Sequence, residues 1–258
     1  MQDSNSRQTA IRLGAHGEDY GNWMPVSMLR LVGGLLFLTV VLAALSFTVF
    51  RLTVLGVIFV IAAVVLLVLL CWITWIRRQY AFGGGGMMER VHHTILSHLN
   101  YNGKGTLLDV GCGSGALAIR AALTWRSAQV TGIDYWGAAY GYGQTMCEKN
   151  AASEGVGSRC TFRRGDANRL DFPDESFDAV VSNYVYHNVM GADMHKLLLE
   201  SLRVLKKGGV FALNDDMKPK LYGDMDVFAQ KLREMGYQDV RLIDTAEEAF
   251  GSRRRAAM

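Results

Sequence analysis

The chain has 258 residues, enough for one large domain or for one medium domain with attached segments. Its 27 basic and 24 acidic residues give a net charge of +3 and are mixed through the C-terminal part, which excludes the basic stripe expected of a nucleic-acid-binding protein. Half of the residues are hydrophobic, yet charges are nearly absent from Leu31 to Ile76. The composition therefore predicts a lipid-like part, a water-soluble part and no nucleic-acid partner.

Two hydrophobic runs, Leu31–Phe50 and Leu52–Ile76, follow the N-terminal segment, and neither contains a charge, a histidine or an asparagine. At ~1.5 Å per residue each is long enough to cross a hydrocarbon layer. Because only Arg51 separates them, they are predicted to form a tight transmembrane hairpin that serves as an anchor. A signal peptide or a buried helical hairpin of a soluble protein are the alternatives.

The arginines around this hairpin predict its orientation. Three arginines precede the first run and two follow the second, whereas the connecting turn offers Arg51 alone. Since positive residues concentrate on the cytoplasmic side, both termini are predicted to be cytoplasmic, with Trp23, Trp72 and Trp75 at that interface. The predicted organisation is an N-terminal segment over 1–30, spans over 31–50 and 52–76, a linker over 77–86 that ends in four glycines, and a soluble domain over 87–258.

From residue 87 onward, strand-like and helix-like segments alternate. Strands are predicted at 106–110, 129–134, 160–164, 179–183, 210–214 and 240–243, and helices at 87–100, 115–125, 141–154, 194–205 and 226–235. This alternation predicts an α/β fold with a doubly wound, mostly parallel sheet, in which ligands bind at the carboxyl ends of the strands. His92, His93 and His98 on the first helix have no carboxylate or cysteine at ligand spacing, so a solvated face and no metal site are predicted.

The first strand of this domain runs into a glycine-rich turn. Gly111, Gly113 and Gly115 let the backbone turn sharply before a helix whose free N–H groups favour a polar or anionic ligand. The turn also fits the G-x-G-x-x-G/A pattern loosely, so an NAD(P) or FAD enzyme is an alternative. Asp109, two residues before the first glycine, would repel a pyrophosphate and suits a ligand that carries an ammonium group.

With these motifs, the stretch from Met87 to Ile243 resembles the class I S-adenosylmethionine-dependent methyltransferases, which have a Rossmann-like fold. Phe172–Asn183 and Leu202–Val210 match the family's lead into its fourth and fifth strands. The resemblance implies that Asp134 binds both ribose hydroxyls and that Asp166 accepts from the adenine amino group. It implies these cofactor-binding residues: Asp109, Gly111, Cys112, Gly113, Gly115, Asp134, Tyr135, Asp166, Ala167 and Ser182.

The residues after the fourth strand are the candidates for the acceptor side of such a site. Asn183, Tyr184 and His187 are predicted to face the acceptor, with His187 as the general base if the acceptor is a hydroxyl or a protonated amine. The predicted function is methylation of a small, membrane-soluble acceptor by a bilayer-anchored enzyme. The alternatives are a membrane-tethered sensor that binds S-adenosylmethionine without turnover and an NAD(P)-dependent reductase. After the predicted sixth strand, 15 residues remain for the family's final antiparallel strand, which is either short or missing.

Overall fold

The structure is a computed structural model that describes residues 13–14, 18–22, 24–82, 86–137 and 141–251. The chain divides into two compact units, one of residues 22–86 and one of the residues before 22 together with those from 87 onward. Trp23, three of the four glycines in the predicted linker and the C-terminal arginines lie outside the described residues. The exact domain boundaries stay a prediction.

The smaller unit is a hairpin of two long helices, α1 (Val26–Thr48) and α2 (Thr53–Tyr80). Both are long and apolar enough to cross a membrane by length and composition. The turn between them holds Arg51 in a left-handed conformation with φ 53°. Most apolar side chains of the unit face outward, and Phe37 and Val54 are 72% and 77% exposed. The helices thus present the all-round apolar surface that a lipid environment accommodates.

The larger unit is built around a five-stranded parallel sheet of order β3-β2-β1-β4-β5. The strands are β1 (Lys104–Val110), β2 (Ser127–Asp134), β3 (Cys160–Arg164), β4 (Phe177–Asn183) and β5 (Leu205–Asn214). The helices are α3 (Met87–His98), α4 (Ala116–Thr124), α5 (Gln144–Ser153), α6 (Met194–Arg203), α7 (Pro219–Tyr222), α8 (Met225–Glu234) and α9 (Ala246–Phe250). The predicted doubly wound α/β fold is confirmed.

The hydrophobic pattern explains which strands form the centre of the sheet. Leu107, Leu108 and Val110 of β1 and Val180 and Val181 of β4 are fully buried. Such continuous apolar runs are typical of parallel strands that are covered on both faces. Val110 is in register with Ile133 of β2 and with Ser182 of β4, so the three strands end together. Their carboxyl ends form the edge at which ligands are expected.

The predicted sixth strand at 240–243 is wrong, because this segment is irregular in the structure. The Val240 carbonyl accepts from the Arg233 guanidinium at 2.7 Å, instead of from a neighbouring strand. Arg241 in turn pairs with Asp239 at 2.6 Å. Leu242 and Ile243 are 43% and 45% exposed. Side-chain contacts with charged groups therefore hold the segment in an irregular conformation.

The prediction of a solvated histidine face on α3 is wrong for His92, which is 2% exposed. The helix packs against α4, β4, β5 and α9, so it has little free surface on that side. Burial, with the nearby charge of Arg120, holds the pKa of His92 well below its usual value. His92 is therefore a neutral core residue.

Candidate active site

The glycine-rich turn at the end of β1 has the sharp geometry that the sequence predicts. Gly111, Gly113 and Gly115 all have positive φ, at 74°, 56° and 82°. The backbone N–H of Gly111 donates to the Ile133 carbonyl at 2.8 Å, which fixes the turn to β2. A Cβ atom at Gly111 would lie 2.2 Å from a methyl group of Val185, so the turn contacts the segment after β4 at close range. No side chain caps the N-terminus of α4, where free N–H groups can meet a ligand.

Asp134, the last residue of β2, lies directly against this turn. Its Oδ2 accepts from the Gly113 backbone N–H at 2.8 Å, and its Oδ1 accepts from the Trp136 backbone N–H at 2.7 Å. The Trp136 indole N–H donates back to the Gly113 carbonyl at 2.8 Å. A carboxylate has about four lone-pair sites, so about two stay available for further donors. Tyr135 beside it is 62% exposed, with the Arg164 guanidinium 4.6 Å from its ring centroid.

Asp109 lies beneath the turn and is only 1% exposed. Burial raises the pKa of this carboxyl to about 8; the charge of Asp134 adds to the effect and the Ala118 backbone N–H opposes it. Its Oδ2 is buried and has no hydrogen-bond partner among the described residues. Asp109 therefore lies close to the candidate site as an acid that is largely protonated at neutral pH. The predicted contact with an ammonium group stays a prediction.

The remaining residues predicted to hold a cofactor have different surroundings. Asp166 is exposed, and its Oδ1 accepts from the backbone and side-chain nitrogens of Asn168, both at 2.8 Å. Ala167 is half-buried against the hydrophobic core. Ser182 is fully buried and donates its hydroxyl to the Val110 carbonyl at 2.8 Å. Cys112 is buried, which raises the pKa of its thiol well above the usual value. Ser182 and Cys112 are thus buried residues whose side chains pack beneath the glycine-rich turn.

The structure brings His187 together with Asp215, a residue that the sequence reasoning missed. His187 lies in a short 3₁₀ turn after β4, and Asp215 directly follows β5. The His187 Nδ1 atom hydrogen-bonds to Asp215 Oδ1, and the two side chains are 26% and 0% exposed. The same carboxylate accepts from the backbone N–H groups of Tyr186 at 2.9 Å and Asp216 at 2.7 Å. The position of an acidic residue directly after the fifth strand is the sequence signal that could have identified Asp215.

Asn183 and Tyr184, the other predicted acceptor-side residues, lie at the carboxyl end of β4. The Asn183 Oδ1 accepts from the Asn214 side-chain amide at 3.0 Å. Tyr184 has an unusual positive φ of 55°, and its ring meets the His187 ring edge-on at a centroid distance of 6.0 Å. The ring of Phe250 in α9 is 6.5 Å from Tyr184. A strained, non-glycine backbone beside a histidine is a feature found at functional sites.

Comparisons with known proteins agree with this geometry. The family described as "Methyltransferase domain" matches residues 108–213. The chain is 29% identical to a sterol 24-C-methyltransferase of Gibberella zeae, over 62% of this chain and 40% of that protein. It is 34% identical to a fatty-acid O-methyltransferase of Mycolicibacterium smegmatis, over 51% of this chain and 43% of that one. The chain thus spans less than half of the length of these two relatives.

Among solved structures, the [4+2]-cyclase SpnF matches with a TM-score of 0.50 and 24% identity, over 62% of this chain and 61% of the other. This likeness shows the fold. The described residues contain no group of three or more histidine, cysteine, aspartate or glutamate side chains that could hold a metal ion.

Proposed function

We propose that this chain is a class I S-adenosylmethionine-dependent methyltransferase that methylates a small, lipophilic acceptor while anchored in a membrane. The observation that carries the proposal is the arrangement at the carboxyl ends of β1 and β2, where the glycine-rich turn and Asp134 meet. S-adenosylmethionine, when bound, supplies an activated methyl group on a sulfonium. The protein then has to align the acceptor with that group and exclude water.

The side chains at this edge fit an adenosine-type ligand with a positive charge. Asp134 has acceptor capacity for two ribose hydroxyls, and Asp166 at the end of β3 is exposed and suits the adenine amino group. The backbone of Gly111, Gly113 and Gly115 approaches the ligand without side chains. Neither Asp134 nor Asp166 forms an ion pair with a lysine or arginine of the described residues. A pyrophosphate group would meet uncompensated negative charge here, which disfavours a nicotinamide dinucleotide.

Calorimetry on the detergent-solubilised protein tests the cofactor. Binding of S-adenosylmethionine is expected, with no heat from NADPH. Asp134→Ala is expected to lower the affinity at least about 10-fold, because hydrogen bonds to a charged group contribute about 1.5–3 kcal/mol each. Asp171→Ala is a matched control, since its carboxylate is 98% exposed and pairs only loosely with Arg163 at 3.6 Å. Unchanged affinity in Asp134→Ala, or binding of NADPH instead, contradicts the proposal.

For the membrane part, we propose that α1 and α2 span the bilayer, that residues 77–86 link them to the enzyme domain over 87–258, and that both termini are cytoplasmic. The arginine distribution supports this orientation. The test is to introduce a cysteine at Arg51 or at Arg78 and to treat intact cells with an impermeant maleimide, with the wild-type chain as the background. The Arg51→Cys variant is expected to be labelled from outside, and Arg78→Cys only after permeabilisation. The reverse pattern contradicts the orientation.

The acceptor is proposed to be lipophilic because an anchored domain meets molecules dissolved in the bilayer. The names of the two relatives, a sterol and a fatty-acid methyltransferase, support the same class. The test is incubation of the protein with methyl-labelled S-adenosylmethionine and a membrane lipid extract, followed by chromatography. Label in a lipid fraction is expected. Tight cofactor binding with no label transferred to any fraction would instead indicate a sensor.

A further inference from the structure

The hydrogen bonds of Asp215 determine which ring nitrogen of His187 carries the proton. The Asp215 carboxylate accepts from three backbone N–H groups, of Tyr186 at 2.9 Å, His187 at 3.3 Å and Asp216 at 2.7 Å, besides its bond to the His187 ring. An ionised carboxylate is an acceptor only, so the bonded ring nitrogen, Nδ1, has to carry the proton. In the neutral ring, Nε2 then has a free lone pair. The ring is partly exposed, so this nitrogen can reach a ligand.

Several tyrosine side chains lie around this pair. Burial raises the pKa of Tyr186 and of Tyr222 above the usual value, with the negative charge of Asp215 adding in both cases, so both hydroxyls stay neutral. The Tyr184 ring meets the His187 ring edge-on. Asp216 pairs with Lys218 at 2.5 Å on the surface.

The pair also lies beside the glycine-rich turn. Val185, two residues before His187, is the side chain that occupies the space above Gly111. The 3₁₀ turn that carries His187 therefore starts where the segment after β4 contacts the turn proposed to hold the cofactor.

We propose that His187 is a catalytic general base that deprotonates a hydroxyl acceptor, an alcohol or a phenol, and that Asp215 is the positioning residue that fixes its tautomer. This inference rests on the proposed methyltransferase function. His187 Nε2 takes the hydroxyl proton while an oxygen lone pair forms the new bond to the methyl carbon. The carbon–sulfur bond breaks, its electron pair stays on the sulfur to give S-adenosylhomocysteine, and the proton leaves from His187 to water.

This assignment distinguishes the acceptor from two other classes. A carboxylate acceptor is already ionised at neutral pH and needs no base. A carbon acceptor of the alkene type has no acidic proton on the attacking atom, so a base opposite it has no role in the attack. A hydroxyl, in contrast, gains nucleophilicity when a positioned base removes its proton, an effect of about 100-fold to 10,000-fold in rate.

The first experiment identifies the new bond in the product. The protein is incubated with methyl-labelled S-adenosylmethionine and a membrane lipid extract, and the labelled lipid is treated with mild alkali and then with hot hydriodic acid. An ether is expected, which resists the alkali and releases labelled methyl iodide in the acid. Release by alkali indicates a carboxyl acceptor, and retention in the acid indicates a carbon or nitrogen acceptor; either result overturns the assignment.

The second experiment measures the tautomer and does not depend on turnover. Nitrogen NMR of protein labelled with ¹⁵N-histidine, with His187→Gln to assign the signal, is expected to show His187 protonated at Nδ1. Asp215→Asn is expected to change this tautomer, and the matched variant Asp216→Asn is not, since Asp216 bonds to Asp215 only through its backbone N–H. Protonation at Nε2 in the wild type, or no change in Asp215→Asn, overturns the positioning role even if no methyl transfer is found.

Kinetics separate this role from a structural one. His187→Gln is expected to lower kcat about 100-fold or more and to abolish the fall in rate at acid pH, because an imidazolium cannot accept a proton. Asp215→Asn is expected to lower kcat about 10-fold or more, with the affinity for S-adenosylmethionine within about 2-fold of the wild type and Asp216→Asn unaffected. A loss of cofactor affinity equal to the loss of kcat in Asp215→Asn would show a structural role and overturn the proposal.

Discussion

The two ends of the parallel sheet hold their carboxylates in different ways. At the amino end, Asp178 accepts from the Thr106 backbone N–H at 2.8 Å and from the Lys206 ammonium at 2.8 Å. At the carboxyl end, Asp134 and Asp215 accept from backbone N–H groups, and Asp215 also bonds to a histidine. Neither of these two forms an ion pair with a lysine or arginine of the described residues.

This difference supports the proposal that the functional site lies at the carboxyl end. A carboxylate that is paired with a lysine has its charge and much of its acceptor capacity satisfied within the fold, so it stabilises the fold. Asp134, which is held only by backbone N–H groups, keeps its charge and some lone pairs for another partner. The carboxyl end is therefore better suited to a ligand that carries hydroxyl donors and a positive charge than to a phosphate.

The largest effect is expected from Gly111→Ala, which disrupts the carboxyl end. The new methyl group would lie 2.2 Å from Val185, at a residue with φ +74°, so the turn has to move. We expect the affinity for S-adenosylmethionine to fall about 100-fold or more and the free energy of unfolding to fall by several kcal/mol. Calorimetry and urea unfolding of the full chain measure the two effects.

Gly155→Ala is the matched control for this variant. Gly155 also has a positive φ, +71°, but a Cβ atom there meets nothing within 4 Å. The strain of the left-handed conformation costs roughly 1–2 kcal/mol for a residue with a side chain. We expect Gly155→Ala to lose stability by about this amount and to keep cofactor affinity. Equal loss of affinity in both variants would show that the contact with Val185 does not matter.

Asp109→Asn is expected to change how stability depends on pH. Burial raises the pKa of this carboxyl from 3.8 to about 8, so the folded chain keeps a proton that the unfolded chain releases. The stability contributed by this proton is complete below about pH 4 and is lost as the pH rises to about 8. Asparagine cannot ionise. We therefore expect the variant to gain stability over the wild type between these pH values, by on the order of a few kcal/mol at the upper end.

Thermal unfolding of both proteins without cofactor, measured in steps between these pH values, gives the comparison. The difference in melting temperature is expected to grow with pH and to level off above about pH 8. A difference that stays constant across the range would show that Asp109 is ionised in the folded protein, as the amino-end carboxylates are.

Part of the carboxyl end of the sheet could be predicted from the sequence. Leu107, Leu108 and Val110 form an apolar run that ends in glycines, and this pattern locates β1 and the turn without any structure. Residues 240–243 have the same apolar and β-branched character but do not form a strand, because the Val240 carbonyl bonds to Arg233. A strand needs a neighbour with free backbone groups, and composition does not report that.

The sequence predicted a site residue only where that residue could be recognised from a single strand end, without knowing which strands are neighbours. Asp134 was predicted from the family resemblance at the end of the second strand, and a search for acidic residues at the end of the fifth strand would have found Asp215. Its pairing with His187 depends on β4 and β5 lying side by side, which the order of strands in the sheet determines. The burial of Asp109 and of Ser182 was not visible either, because it depends on how the turn folds over them.

A moderate effect is expected from Asp178→Ala at the amino end. The variant removes the acceptor for Thr106 and for Lys206. Because the side chain is 34% exposed, solvent replaces part of these bonds, and we expect a loss of about 1 kcal/mol in the free energy of unfolding. Urea unfolding measures it. Cofactor affinity is expected to be unchanged, and a loss of affinity would contradict the division between the two ends.

The smallest effect is expected from Asp166→Asn at the carboxyl end. Asp166 is exposed, so water competes with the adenine amino group for its oxygens and the bond contributes little net free energy. Asparagine keeps one oxygen that can accept, but its amide donates where a carboxylate would accept. We expect the affinity for S-adenosylmethionine to fall about 3-fold, well below the loss in Asp134→Ala, because Asp134 is fixed by two backbone N–H groups.

Calorimetry with adenosine and with inosine tests the contact directly, because only adenosine has the amino group. The preference for adenosine over inosine is expected to shrink in Asp166→Asn and to persist in Asp171→Ala. An unchanged preference would show that the adenine amino group contacts another residue. The proposed contrast between the two ends of the sheet would then rest on Asp134, without Asp166.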